Sequence, residues 1–306
     1  MDTLRMIADP NLRGIALMVM AMGAFALADT FVKVSASTLS PAQVLFFLIG
    51  GALVLFGGIA VAQGESLMDR RALSPVLWLR YVAEVAGMVG MVTALALVPI
   101  STVGAITQAA PLLAVVGAVV FLQEQIGWRR WVSIACGFIG VLLIVQPGAI
   151  AFDVSVLWAV LALVALSVRD LTTRLVPADM PSISLATYTM VAAAPFAVGW
   201  VVLRGEALIP AHANWWVIVP MVVLGALGYM LLIASLRSAE VSVVMPYRYT
   251  RIVFLIGLGI AVFGERPDRW MLAGAALIVV SGTYMMWREQ RVKQAQLTSS
   301  DTGAAP

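Results

Sequence analysis

The chain of 306 residues has one cysteine, Cys136, and one histidine, His212. A single cysteine forms no internal disulfide, and one of each leaves neither the Cys/His spacing of a zinc site nor a histidine-based triad. No GxxxxGK[ST] loop occurs, so the chain carries no P-loop of its own. Charge is scarce as well. Asp, Glu, Lys and Arg make up 11% of the residues, where a soluble domain carries roughly 25%. Hydrophobic residues reach 62%, more than a globular core of this length hides, so the implied solvent is lipid. The formal net charge of +3 then reports membrane-flanking loops rather than nucleic-acid binding.

What is present is a series of apolar runs. A helix needs about 20 apolar residues to cross a bilayer, and ten such runs lie roughly at 14–35, 41–63, 76–98, 101–122, 128–146, 154–175, 182–203, 214–236, 242–264 and 268–287. Turn residues punctuate them, among them Ser40-Pro41, Val98-Pro99, Gln146-Pro147-Gly148 and Arg266-Pro267-Asp268. The first run is too long for a signal-peptide core and is interrupted by Asp29 and Lys33, although Ser35-Ala36-Ser37 follows it. With the N-terminus in the cytoplasm, twelve Lys and Arg residues fall at inner helix ends. Four, Lys33, Arg204, Arg266 and Arg269, fall at outer ends. The positive-inside rule then places both termini in the cytoplasm of a multi-pass inner-membrane protein. Residues 288–306 read as a disordered cytoplasmic tail, and 1–13 as a cytoplasmic N-terminus.

The halves repeat at a constant shift of 141. Asp29 falls on Asp170, Lys33 on Arg174, Gly87 on Gly228, Leu95 on Leu236, Ser101 on Ser242 and Glu124 on Glu265. Matched rare charges at one shift, across about 95 residues, point to duplication of a unit: 14–146 and 154–287. Five spans per unit is odd, so the second unit enters the membrane the other way up. The expected fold is all-α and integral to the membrane, with ten transmembrane helices as two inverted five-helix repeats. Such repeats place a solute site near the midplane.

Charges inside the apolar runs are the candidate site. The ninth run contains VMPYRYTRIVF, with Arg248 and Arg251. Facing lipid, two mid-helix arginines cost roughly 5–7 kcal/mol. Three apart, they share a helix face, and Tyr247 joins them. Together they read as a cationic wall able to hold a carboxylate, a phosphate or an electron-rich ring. Snorkelling to the interface, or locking of Arg251 to a carboxylate, is the structural alternative. Asp29 with Lys33 and Asp170 with Arg174 read either as i,i+4 ion pairs or as gate and proton-coupling groups. Arg80 reads as interfacial, and Glu84 as a cavity carboxylate. Tyr81 and Tyr229 are candidate ring and hydroxyl donors to a ligand. Gly87 and Gly228 give small helix faces for close approach. Glu124 and Glu265 read as structural, pairing with a basic end of the following helix near Arg129, Arg130 or Arg269.

Two stretches carry a family resemblance. ALALVPISTVGAITQAAPLLAVVGAVVFLQEQIGWRRWVSIACGFIGVLLIVQPG places Pro111 thirteen residues before the helix-end acid Glu124. AEVSVVMPYRYTRIVFLIGLGIAVFGERPDRWMLAGAALIVVSGTYMMWRE contains PxxYTR, FGExPD and SGxY elements. Over roughly residues 12–290 the chain resembles the EamA branch of the drug/metabolite transporter superfamily. The resemblance implies ten helices in two inverted repeats, a cavity lined largely by helices 1, 3, 4, 6, 8 and 9, and alternating access. The subgroup includes uptake carriers for S-adenosylmethionine-like and riboflavin-like solutes. Two departures stand out: FLQEQ replaces the common LLLGE, and Arg248 replaces the acid often found before the YTR tyrosine. The second makes the cavity entrance more basic and favours anionic, zwitterionic or neutral aromatic solutes.

The expected activity is secondary transport of a small organic metabolite, with vitamin or cofactor uptake as the narrower alternative. A non-transporting membrane subunit or an intramembrane enzyme is the competing class. No cofactor is expected. The expected partners are the lipid bilayer, a small-molecule substrate, and a coupling proton or exchanged solute; nucleic acid is not among them. The expected state is a monomer or homodimer, since the repeat can close a cavity within one chain.

Overall fold

The computed structural model describes residues 10–65, 70–121, 123, 127–146, 153–173, 175–177, 179–239 and 241–302. Among these there is no strand. Ten helical stretches are long and apolar enough to cross a membrane, from Asn11–Ser35 to Arg269–Arg288, so the molecule is a multi-pass membrane protein. Its helices are α1 (Pro10–Ser35), α2 (Pro41–Ala62), α3 (Pro75–Leu97), α4 (Ile100–Thr107), α5 (Ala110–Phe121), α6 (Trp128–Val145), α7 (Leu157–Thr173), α8 (Ser182–Leu203), α9 (Trp215–Ser238), α10 (Val241–Val244), α11 (Thr250–Phe263) and α12 (Arg269–Thr302). Helices α4 and α5 are two segments of one span, Ile100–Phe121. The ninth span, Met245–Phe263, joins a 3₁₀ turn, Met245–Tyr249, to α11.

Local chemistry sets the helix ends. Ser40 caps α2 with a full capping box to Gln43, and Pro41 opens the first turn, where its missing N–H costs nothing. Ser74 likewise accepts from Leu77 N and Pro75 opens the first turn of α3, without the reciprocal half of the box. Gly264, at φ 63°, closes α11 in the left-handed conformation that glycine adopts without strain. The C-terminal segment departs from expectation. The sequence reads as disordered from residue 288, yet the α12 backbone is helical to Thr302. Arg, Lys, Gln, Ala and Leu dominate that stretch and are strong helix formers, so a helix already nucleated in the membrane propagates through them.

Helix α1 packs chiefly on α9, α3 on α7, α2 on α8 and α6 on α12. Exchanging the halves swaps the α1–α9 and α3–α7 pairs and carries α2–α8 and α6–α12 onto themselves. Side chains follow the same relation. A Cβ on Gly228 would meet the Phe25 ring at 2.9 Å, and one on Gly87 would meet Leu166 at 3.1 Å; Phe25 and Leu166 are themselves 141 apart. Both expected small faces therefore serve close helix approach. Gly90 on α3 is closer still, and to backbone: a Cβ there would lie 2.8 Å from Ala162 N and 2.9 Å from Trp158 O. Backbone cannot step aside as a flexible side chain can. Gly90→Val is expected to destabilise the α3–α7 contact by about 1–3 kcal/mol, read as a lower unfolding midpoint in detergent. An unchanged midpoint would refute the close-approach account.

One tie at the α2 start is pH-sensitive. The Ser40 hydroxyl donates to Glu206, which also pairs with Arg204 at 2.6 Å. The Ser40 hydrogen bond, with Arg204 beside it, holds the Glu206 carboxyl below its usual range. A lowered pKa stabilises the fold above the unfolded value of about 4.3, and that contribution is lost as pH falls through the folded value. Glu206→Gln is therefore expected to make thermal stability less acid-sensitive below about pH 4. Equal acid sensitivity in both proteins would exclude this tie as a contributor.

Candidate functional site

Successive spans run antiparallel through short connections, so the bundle has an end carrying both termini and an opposite, far end. At the far end Lys33 of α1 reaches across to α3. Its ammonium donates to Val98 O at 2.6 Å and Leu95 O at 3.2 Å, and lies 3.9 Å from Glu265. Glu265 accepts from Ile100 N (2.6 Å), Ser101 N (3.1 Å) and Ser101 Oγ (2.6 Å). A carboxylate at a helix N-terminus satisfies orphan N–H groups and favours the helix dipole. The partners of Glu265 are thus the α4 N-terminus and Lys33 rather than the following helix. The expectation missed this because sequence adjacency favoured Arg269, while the fold brings α4 to the loop after α11. Glu265→Ala is expected to cost about 1–3 kcal/mol through the orphaned donors, measured as thermal stability. Glu124 and Arg174 lie outside the described residues.

Toward the termini end lies a larger set of charges. Arg251 donates to Asp29 at 2.5 Å and stacks over the Phe25 ring at 5.4 Å. Asp29 therefore pairs across helices and not with Lys33 four residues on. For this pair the i,i+4 reading fails because each side chain finds a partner on another helix; the Asp170–Arg174 pair involves a residue outside the described ones, and Arg251 is locked to a carboxylate in this conformation. The second group spans α3, α7 and α8. Arg169 donates to Glu84 at 3.2 Å and to Asp170 at 2.8 Å. Arg80 donates to Thr173 Oγ1 at 3.0 Å and to Thr189 Oγ1, and lies 3.9 Å from Glu84. Arg80 is only 8% exposed, so it is an interior residue and not an interfacial one: two threonine hydroxyls and a carboxylate replace its water.

Arg248 sits in the 3₁₀ turn beside these groups, within the field of Asp170, Arg169 and Arg251. Its carbonyl accepts from Gln108 Nε2 at 3.0 Å. Its half-buried guanidinium makes no hydrogen bond or ion pair among the described residues. Tyr229 of α9 faces the same charges, with its hydroxyl on Ser182 O at 3.2 Å and its ring against Phe56. The other two tyrosines go elsewhere. Tyr81 packs with Leu77, Met180, Leu185 and Tyr188 and donates to Ala72 O at 3.1 Å. Tyr247 is exposed, because the 3₁₀ turn changes the pitch on which its alignment with Arg251 relied. Its neighbour Tyr249 is buried instead, packed where a Cβ on Gly282 would stand.

Sequence reasoning missed Arg169, Thr189 and Thr173. Arg169 had a signal, a third charge in the sixth run with no charged residue four positions away. The threonines had none, since a hydroxyl in an apolar run is common. Among the described residues, no group of three His, Cys, Asp or Glu side chains is arranged to hold a metal ion.

A bundle of ten apolar helices with ion pairs in its interior is the architecture of a membrane transporter. The sequence model of the EamA-like transporter family matches residues 12–146 and again 154–287, and the chain belongs to that family. Similar proteins include an S-adenosylmethionine uptake transporter of Rickettsia conorii, 24% identical over 92% of this chain and 94% of its own. A pseudopaline exporter of Pseudomonas aeruginosa, CntI, is 26% identical over 90% of this chain and 96% of its own. A riboflavin transporter of Rhizobium johnstonii is 26% identical over 69% and 70%. A solved crystal structure aligns with TM-score 0.57 at 18% identity, covering 89% of this chain and 98% of its own, which supports the fold.

Proposed function

We propose that this protein is a secondary carrier of the inner membrane that moves a small organic solute bearing an anionic group by alternating access. One observation carries the reading. Among the described residues the inner charge set holds four guanidiniums, Arg80, Arg169, Arg248 and Arg251, against three carboxylates, Asp29, Glu84 and Asp170. Among the described residues four minus three leaves one positive charge, and Arg248 is the cation that makes no hydrogen bond or ion pair there. An uncompensated charge in a low-dielectric interior is costly, and a solute carboxylate or phosphate relieves it. Glu84 and Asp170 stand ready for an ammonium on the same solute, so a zwitterion fits as well as an anion.

Asp29 serves as the exchange group. When a solute anion or a proton competes for the Asp29–Arg251 pair, α1 separates from the ninth span. Lys33 and Glu265 act as the far-end gate, which ties α1, α3 and α4 in this conformation. The halves are taken as inverted repeats, which the reciprocal helix pairing favours, and both termini as cytoplasmic, which the basic inner ends favour.

Vitamin or cofactor uptake is the narrower reading, supported by the relatives named as S-adenosylmethionine and riboflavin transporters. Relatives named for uptake and for export both occur, so direction is read from experiment. Mass-spectrometric profiling of cells and medium, with and without expression, is expected to show one anionic or zwitterionic solute moving between compartments. Counterflow of that solute in proteoliposomes then establishes carriage. No solute moving at confirmed expression, across varied media, would sink the carrier reading.

A further inference from the structure

A cleft of about 300 Å³ opens on the outer surface of the bundle between α6 and α12, away from the charged interior. Its floor is small: Ser133, Cys136 and Ser281. Both serine hydroxyls are spent on their own helices, Ser133 on Arg129 O at 3.2 Å and Ser281 on Ile278 O at 3.0 Å. The floor therefore offers an incoming group mainly apolar contact and no free hydroxyl. Along the walls Val132 and Val280 are exposed, as is Tyr284. From Trp128 to Cys136 the cleft runs about 12 Å along α6, at ~1.5 Å per residue.

The mouth is different. It lies at the end carrying the termini, where α6 begins and α12 leaves the membrane. Arg129 lines it, stacked at 5.2 Å over Trp128. Arg288 follows Tyr284 by four residues, which puts it on the same face one turn nearer the interface. No acidic residue lines the cleft. A narrow apolar slot with an aromatic and cationic mouth at the headgroup level matches one amphiphile: an acyl chain below, a negative headgroup above.

We propose that this cleft binds an anionic phospholipid, with one acyl chain against Cys136 and Val280 and the phosphate between Arg129 and Arg288. A second copy of the chain fits less well. A two-fold contact here would bring the same patch together on both copies, setting Arg129 and Arg288 against their own duplicates.

The test is lipid retention, which needs no transported solute. The full-length protein is reconstituted in equimolar phosphatidylglycerol and phosphatidylcholine, extracted in mild detergent, and its bound lipid is measured by native mass spectrometry. The expected result is a preference for phosphatidylglycerol of about thirty-fold, at ~1 kcal/mol per basic residue. Arg129→Gln with Arg288→Gln is expected to abolish the preference. Cys136→Phe, which fills the slot and leaves both arginines, is expected to lower retention of either lipid. Equal retention of the two lipids by the wild type would overturn the proposal. So would phosphatidylglycerol retention unchanged in both variants, or a concentration-dependent dimer that excludes lipid. Should the double arginine variant fail to fold, Cys136→Phe and loss of the preference at high ionic strength decide the matter.

Discussion

Replacing Arg169 with methionine is expected to destabilise the protein by about 3–5 kcal/mol, the range for removing one partner of a buried ion pair. Arg169 holds two carboxylates at once, Glu84 at 3.2 Å and Asp170 at 2.8 Å. Its loss leaves both in an apolar bundle, with Arg80 the remaining cation beside Glu84 at 3.9 Å. About a quarter of its side-chain surface stays accessible, which moves the expectation to the lower part of that range. The measurement is the unfolding midpoint in detergent. Neutralising the orphans as well, with Glu84→Gln and Asp170→Asn, is expected to restore much of the loss. A midpoint unmoved by Arg169→Met would show that the carboxylates find water instead and that the bridge adds nothing.

Arg248 is expected to behave in the opposite way. Its guanidinium pairs with nothing among the described residues, while its backbone carbonyl, fixed by Gln108, survives any side-chain change. Arg248→Gln should therefore leave folding intact. Transport should fall about tenfold to hundredfold, since a hydrogen-bonded charge contributes about 1.5–3 kcal/mol. The loss should fall mainly on apparent affinity. Arg248→Lys should recover part of it, keeping the charge but not the planar fork. Solute flux with wild-type affinity in Arg248→Gln would remove this residue from the solute path and, with it, the charge argument for an anion.

The two expectations mark what the sequence made legible. Ten runs, their turns and their order follow from hydropathy and from Pro and Gly punctuation, because lipid demands long uninterrupted helices. The Asp29, Glu84, Asp170, Arg248 and Arg251 positions were visible for the same reason: a charge stands out in grease. Pairing was not visible. Asp29 joins Arg251 across 222 residues, and nothing in the local spacing favours that over Lys33. Likewise Glu265 reaches α4 across 165 residues. Local i,i+4 rules describe isolated helices, whereas here each side chain chooses among neighbours supplied by the fold. The fate of Tyr247 shows a second limit. Its expected direction assumed α-helical pitch through Pro246, and the 3₁₀ turn removed that premise.

The reciprocal helix pairing has a consequence when set beside the charges. Positions 141 away from Arg80, Glu84, Arg248 and Arg251 hold Met221, Gly225, Thr107 and Ala110. The scaffold repeats; these charges do not. In the proposed inverted arrangement, an unadorned duplicate would have two facing states of equal free energy, each the mirror of the other. Under that proposal the unmatched charges would lift the degeneracy and give the empty carrier a preferred resting side. The solute then meets a binding-competent population that is larger on one face of the membrane than on the other, and its apparent affinity scales with that fraction. Net flow still obeys the gradients, but half-saturation is reached at different concentrations from the two sides.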